Sequence, residues 1–339
     1  MTQTPTYDVI AVGNAIVDVL APCEPAFLDA QGLTAGSMQL VDADQSAALY
    51  AAMSAGVEAS GGSAGNTVAG VGSFGGRGAY IGKVADDQLG GVFAHDIRAV
   101  GVHFDTPVLE GGAATGHATG VCMINVTPDG QRTMCTFLGA ANQLTVADID
   151  ADLIAASAIV YLEGYLFDPA PARDAFEAAA AAAHAAGRKV AITLSDSFVV
   201  HRWRAELLAF IEASADIVLA NEAELAALFE TDDFDAAAGR LASMVDVAAV
   251  TRGADGSVVI SGDQRVVVAA FPVDKVIDTT GAGDQYAAGL LLGLARGLSL
   301  EDAGKLGSLA ASEVIAHWGP RPMVSLNALA EEAGLTLQA

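Results

Sequence analysis

In the stretch Asp278-Thr279-Thr280-Gly281-Ala282-Gly283-Asp284, two carboxylates bracket a run of small residues, and the apolar run 286–295 follows directly. Small residues let backbone amides converge on an anion at a helix N-terminus, where unpaired N–H groups and the helix dipole both favour negative charge. Asp284 stands at the mouth of that cradle. A carboxylate beside an anion site makes electrostatic sense when it has a proton to accept, which points to phosphoryl transfer to a hydroxyl. The alternative is a plain helix cap, a common role for Asp at such a position.

Other residues invite similar readings. In Gly61-Gly62-Ser63-Ala64-Gly65-Asn66 paired glycines let the backbone pass close to a ligand, and Asn66 offers a donor and an acceptor; a turn before a helix explains the same letters. Asp18 can accept two hydrogen bonds from a vicinal diol or serve as a surface loop residue. Asn221-Glu222-Ala223-Glu224 is either a capping box or a pair holding water around a Mg²⁺ that phosphate oxygens coordinate. Thr251-Arg252-Gly253-Ala254-Asp255-Gly256 can approach nucleotide phosphates or form an ordinary turn. Two tempting matches fail. Gly70-Val71-Gly72-Ser73-Phe74-Gly75 fits G-x-G-x-x-G but lies at a helix end before a strand, the reverse of the dinucleotide-binding context. Gly82-Lys83 is followed by Val84, and Arg77 stands where a P-loop needs its first Gly.

These residues need a scaffold. The run 7–12 is apolar and ends at Gly13, as a buried parallel strand does, which puts Asn14 and Asp18 past a strand's carboxyl end, where open α/β sheets bind ligands. The segment 22–41 is broken by Pro and Gly and reads as irregular structure or short edge strands. Helices are expected at 44–55 and 89–100, a glycine-rich loop at 60–65, a strand at 79–82, and a hairpin at 116–137 around Pro128-Asp129-Gly130. Beyond 149, strands at 158–162, 190–194, 217–220 and 247–251 alternate with helices at 170–186, 203–212 and 222–229. Such alternation implies right-handed crossovers and a mostly parallel, doubly wound sheet. Two β-type runs at 256–271, separated by Gly262-Asp263, lead into 278–284. With no linker or repeat, one α/β domain, 1–339, carrying a small β excursion from about 14–42 and 109–137 is the economical architecture.

The bulk numbers agree. A chain of 339 residues, 53% hydrophobic, can bury a large core. With 16 basic against 41 acidic side chains, a net charge of -25 repels nucleic acid and anionic membranes, so a bound nucleotide must be held by local amides, Mg²⁺ and a few placed side chains. Cys23, Cys122 and Cys135 form neither C-x-x-C nor an even set, so no disulfide framework or structural zinc is expected. The six His residues make no metal-binding pair. The start lacks a secretion pattern and the run 286–297 is too short to span a bilayer, so a cytoplasmic location is expected and the sequon Asn125-Val126-Thr127 is discounted.

Taken in order, these pieces resemble the ribokinase-like (PfkB) family of carbohydrate and nucleoside kinases over nearly the whole chain, with D-T-T-G-A-G-D at 278–284 the most specific match. The resemblance implies an α/β/α core with a β-sheet lid, ATP and Mg²⁺, Asp284 as the base, and the amides of Gly281, Ala282 and Gly283 as an anion hole. It places nucleotide contacts at Asn221, Glu224, Thr251, Gly253, Gly256 and Thr279, with Asn221 and Glu224 reaching Mg²⁺ through water. By family analogy a K⁺ site falls beside Asp278 and Thr280. Four local features look more like the family's adenosine kinases than its ribokinases or fructokinases. They are Gly13-Asn14-Ala15-Ile16-Val17-Asp18, with Asp18 on the ribose 2′ and 3′ hydroxyls and Asn14 nearby; Gly62, Ser63 and Asn66; Ala140-Ala141-Asn142; and Gly164-Tyr165-Leu166-Phe167, where Tyr165 stacks on the base. Gly65 replaces a polar residue of the eukaryotic enzymes and Tyr165 a Phe, which leaves inosine or guanosine open. The expected reaction is 5′-phosphorylation of adenosine in purine salvage, by a monomer or homodimer with a small-molecule acceptor. The alternative is a sugar kinase for ribose, fructose or a keto-deoxygluconate.

Overall fold

Strand β1 (Tyr7–Val12) shows why the core has two halves: Val9 and Ala11 point into one apolar cluster and Ile10 and Val12 into another, so helices must cover both faces of the sheet. The computed structural model describes residues 4–337. After β1 the chain runs through β2 (Ile16–Pro22), helix α1 (Pro25–Gln31), β3 (Met38–Leu40), α2 (Ala43–Ala52), β4 (Val57–Gly61), α3 (Ser63–Ser73), β5 (Gly78–Ile81), α4 (Gln88–Ala99), β6 (His103–Phe104), β7 (Gly120–Val126) and β8 (Arg132–Phe137). Strands and helices then alternate: α5 (Ala151–Ala155), β9 (Ser157–Glu163), α6 (Ala170–Ala185), β10 (Lys189–Thr193), α7 (Ser197–Ser214), β11 (Ile217–Asn221), α8 (Glu222–Phe229), α9 (Phe234–Ala242) and β12 (Val247–Thr251). The hairpin β13 (Ser257–Ser261) and β14 (Gln264–Val268) precedes α10 (Ala282–Ala295), α11 (Leu300–Val314) and α12 (Leu326–Glu332).

The large sheet has nine strands in the order β14-β13-β12-β11-β10-β9-β1-β5-β6. It is parallel except where β13 pairs with β12 and β14. The chain leaves β1 for β5 and β6 on one side and returns on the other with β9, so the crevice beyond the carboxyl ends of β1 and β9 is the topological switch point at which such sheets bind ligands. A second sheet of five strands, β3-β8-β7-β2-β4, stands over that crevice. In β2 the pattern I-V-D-V-L-A-P alternates, so Val17, Val19 and Ala21 are buried while Ile16 and Asp18 turn to the crevice.

The doubly wound sheet matches the alternation read from the sequence, and four local expectations are corrected. The segment 22–41 does hold a short edge strand, β3, but it also holds a helix: Pro25 opens α1 with its φ already set, and Gly32, at φ 66°, closes it by donating to Asp29 and Leu28. Ser60 and Gly61 end strand β4 rather than sit in a loop, and β4 joins the second sheet, whose strands therefore reach beyond 14–42 and 109–137. Helix α7 begins at Ser197, capped by Asp196, and is broken at Trp203, where the expected helix started. Helices α5, α9, α11 and α12 have no counterpart among the expected elements. Gly70 and Gly72 lie inside α3, and a side chain at 70 would strike Gln285 and Ala288 of α10, so the glycine pattern there serves packing. Among the described residues no helix is long and apolar enough to cross a membrane.

Candidate active site

Asn14, just past β1, and Glu163, the last residue of β9, meet across the switch point. The Asn14 Nδ2 donates to Glu163 Oε1 at 2.6 Å, and the Ala64 amide donates to Oε2 at 2.9 Å. With its amide so fixed, Asn14 keeps a buried Oδ1 that has no partner, a free acceptor at the cavity wall. Burial pushes the Glu163 carboxyl up to about 7, against its two hydrogen-bond donors. Asp18 comes from β2 and lies against Gly61: a Cβ at 61 would stand 2.3 Å from the Asp18 Cγ, so glycine is required. Burial drives Asp18 up to about 7 as well, opposed by Arg321 and Arg132 and reinforced by Asp284.

The other half of the site is the start of α10. Its N-cap is Gly281, at φ 79°, where a Cβ would collide with Pro320 at 2.6 Å, and no side chain caps the helix. Asp284 is therefore not the cap. Its Oδ1 accepts from Ser63 Oγ at 2.6 Å and its Oδ2 from Asn66 Nδ2 at 3.1 Å, which turns the carboxylate toward α3. Burial raises the Asp284 carboxyl, while Ser63, Asn66 and Arg321 hold it down. The Ala282 amide donates to the Thr279 carbonyl at 3.2 Å. Gly283 and Asp284 are first-turn positions whose N–H groups the helix itself cannot use.

Two cavities meet at that turn. One of about 560 Å³ holds Asn14, Asp18, Gly62, Ser63, Asn66, Tyr165 and Asp284 on its wall. The second, of about 510 Å³, is lined by Gly256, Phe271, Val276, Thr279 and Ser308, and shares Thr251, Gly253, Ala282, Gly283 and Tyr286 with the first. A phosphate entering from the second cavity and a hydroxyl held in the first would face each other at the α10 N-terminus. At the first cavity's edge Asn221 and Glu224 form a full capping box: Glu224 accepts from the Asn221 amide at 2.9 Å and from its Nδ2 at 2.7 Å. With both carboxylate oxygens engaged and no cluster of three metal-ligating side chains among the described residues, this edge suits a hard cation held by phosphate oxygens and water, not a protein cage.

Asp278 and Thr280 are brought together, the Thr280 hydroxyl donating to Asp278 Oδ1 at 2.8 Å, and the guanidinium of Arg132 pairs with the same carboxylate. The place expected for K⁺ thus already faces a cation of the chain, delivered by β8. Tyr165 lines the first cavity with its ring 6.0 Å from that of Phe198, whereas Asn142 sits in a short turn and lines neither cavity. Glu163, Arg132 and Arg321 escaped the sequence reading. Only Glu163 carried a signal, an acidic residue closing the apolar run A-I-V-Y-L before Gly164.

Three raised carboxyls make stability depend on pH. Asp18, Glu163 and Glu224 titrate near 7 in the folded chain and near 4 when unfolded, so between those values the folded state holds protons that the unfolded chain has released. Stability therefore falls as pH rises through that window. Calorimetry is expected to give a Tm about 4 °C higher at pH 5.5 than at pH 8; an equal or higher Tm at pH 8 contradicts the buried-carboxylate account. A carboxylate without its proton can accept from two hydroxyls, so activity that depends on Asp18 should run the other way, with an acid limb near pH 7.

Comparison with known proteins bears on this geometry. The family model described as pfkB family carbohydrate kinase matches residues 32–326. The crystal structure of adenosine kinase from Sinorhizobium meliloti is 54% identical, covers 96% of this chain and 99% of its own, and superposes with a TM-score of 0.89. A probable sugar kinase from Rhizobium etli CFN 42 is 47% identical with a TM-score of 0.90, covering 98% of this chain and all of its own. Adenosine kinase of Saccharomyces cerevisiae is 28% identical over 337 residues, 93% of this chain and 96% of the yeast protein.

Proposed function

Because this chain belongs to the pfkB family of carbohydrate kinases, we propose that its reaction is transfer of the γ-phosphoryl group of ATP to the 5′-hydroxyl of a nucleoside, adenosine before others. Family membership makes it a phosphotransferase with ATP as donor and a hydroxyl of a small sugar or nucleoside as acceptor. The finer reading rests on how the first cavity is divided. Asn14, Asp18, Asn66 and Asp284 supply it with polar groups, while Ile16, Met38, Leu40, Ile124 and Met134 of the second sheet, with Leu138 beside it, supply apolar surface. A bare hexose has hydroxyls on every side and would press several against apolar side chains, each at a cost of about 1–3 kcal/mol. A nucleoside puts its ribose on the carboxylates and its flat base against the sheet, with Tyr165 as an aromatic face. The 54% identity to the Sinorhizobium adenosine kinase supports the same choice.

In this reading Asp18 accepts the 2′ and 3′ hydroxyls, the free Oδ1 of Asn14 accepts a ribose hydroxyl, and the 5′-hydroxyl lies beside Asp284. The second sheet acts as a lid that excludes water. Asp284 orients the hydroxyl and takes its proton late, since phosphoryl transfer has a loose transition state. The amides at Gly283 and Asp284 stabilise the charge on the moving group. A Mg²⁺ arriving with the nucleotide, with Asn221 and Glu224 behind its water ligands, would neutralise phosphate charge.

An ADP-release panel with adenosine, inosine, guanosine, ribose, fructose and 2-keto-3-deoxygluconate tests this. Adenosine is expected to exceed every free sugar in kcat/KM by at least about a hundredfold. A free sugar as the best acceptor overturns the nucleoside reading and leaves the family assignment standing.

A further inference from the structure

We infer that Arg321 is a positioning residue for the acceptor site: from the loop between α11 and α12 its guanidinium braces Asn66 and Asp96 and lends positive charge to the place where Asp18 and Asp284 stand. The inference deepens the reading of Asp284 as the base and rests on it. Arg321 Nε donates to Asn66 Oδ1 at 3.2 Å, and Asn66 Nδ2 donates to Asp284 Oδ2 at 3.1 Å. An isolated amide could face Asp284 with either end; the guanidinium claims the oxygen and leaves the nitrogen for the carboxylate. On a second route, Arg321 Nη1 pairs at 3.3 Å with Asp96 Oδ2, which also accepts from the amide and hydroxyl of Ser60 at 2.8 and 2.6 Å. Ser60 precedes Gly61, whose missing side chain makes room for Asp18. Arg321 thus reaches both working carboxylates through their immediate supports, and its Nη2 stays buried without a partner beside Gly65.

The charge matters because the site is crowded with acids. Arg321 is faced by Asp96 from α4, Asp18 from β2, Tyr80 from β5 and Asp284 from α10. Asp284 in turn faces Glu163 and Tyr161 of β9 and the nearby Tyr165, while Asp18 faces Cys122 of β7 and Arg132 of β8. Burial lifts both carboxyls, and Arg321 opposes that lift at each. Arg132 acts on Asp18 too, but it is already paired with Asp278. Arg321 therefore favours the ionised form of both carboxyls.

The test is the pH profile of kcat/KM from pH 5 to 9 for Arg321→Gln and Arg321→Lys, using the best acceptor of the panel. The Gln variant should move the acid limb up by about one pH unit, so that its loss is about tenfold greater at pH 6 than at pH 8.5. The Lys variant should keep the limb near the wild-type position and raise KM, because a point charge cannot span Asn66 and Asp96 together. A Gln variant slowed by the same factor at every pH would mean a merely structural role and overturn the inference. Should circular dichroism show that the Arg321→Gln variant does not fold, Asp96→Asn decides: relieving the guanidinium of its counter-charge should move the limb down by about half a unit, and an unmoved limb overturns the inference. Asp284→Asn run in parallel separates the two claims. Turnover surviving there removes the base assignment, and this inference with it; an inactive Asn variant beside an unmoved Arg321→Gln limb removes this inference alone.

Discussion

Asp284→Asn is expected to lower kcat at least about a hundredfold while leaving the dissociation constant of the acceptor within about threefold. The substitution keeps size and shape, and its Oδ1 can still accept the 2.6 Å bond from Ser63. What it loses is affinity for a proton and the negative charge that turns the acceptor hydroxyl toward the phosphate. Because these act during transfer and little in binding, the loss belongs in kcat. Single-turnover phosphoryl transfer together with calorimetric binding of the acceptor reads both quantities, and near-normal turnover would sink the base assignment.

Asp18→Ala is expected to act on the other kinetic constant. A carboxylate accepting two hydroxyl hydrogen bonds in a buried cleft contributes about 1.5–3 kcal/mol for each, so kcat/KM should fall about 10²- to 10⁴-fold, mainly through KM. The ligand offers the matching deletion. In the wild type 2′-deoxyadenosine should be much poorer than adenosine, whereas in Asp18→Ala the two should come within a few fold, as a double-mutant cycle requires when both changes remove one interaction. A preference for the 2′-hydroxyl that survives the substitution would place the diol somewhere other than Asp18.

How much of this could be read beforehand follows from the range of each contact. The glycine turn that opens α10 was legible because it is local: Gly281 needs its positive φ within the segment that carries Asp284. The alternation from β9 to β12 was legible because each strand is an apolar run with a turn signal behind it. Arg321 and Arg132 were not, because nothing near Gly319-Pro320-Arg321 or after Pro128-Asp129-Gly130 shows which carboxylate each will meet. The bonds they make, to Asn66 and Thr280, join residues 255 and 148 positions apart. Helix α1 was missed for the opposite reason: its Pro and Gly, taken as breakers, are its first-turn residue and its C-cap. Asp284 was ambiguous from its letters alone; the structure puts the N-cap at Gly281 and turns the Asp284 carboxylate to Ser63 and Asn66 of α3 instead.

The bond between Ser63 and Asp284 spans 221 positions. Contacts that far apart in the chain pay the largest loop-closure entropy and are slow to form. Helices and the strands from β9 to β12 can gain structure while α10 is still undocked, so during refolding from denaturant far-UV ellipticity should recover before turnover. The enzyme would then report on its own maturation: kinase activity appears only when the last third of the polypeptide has closed onto the first.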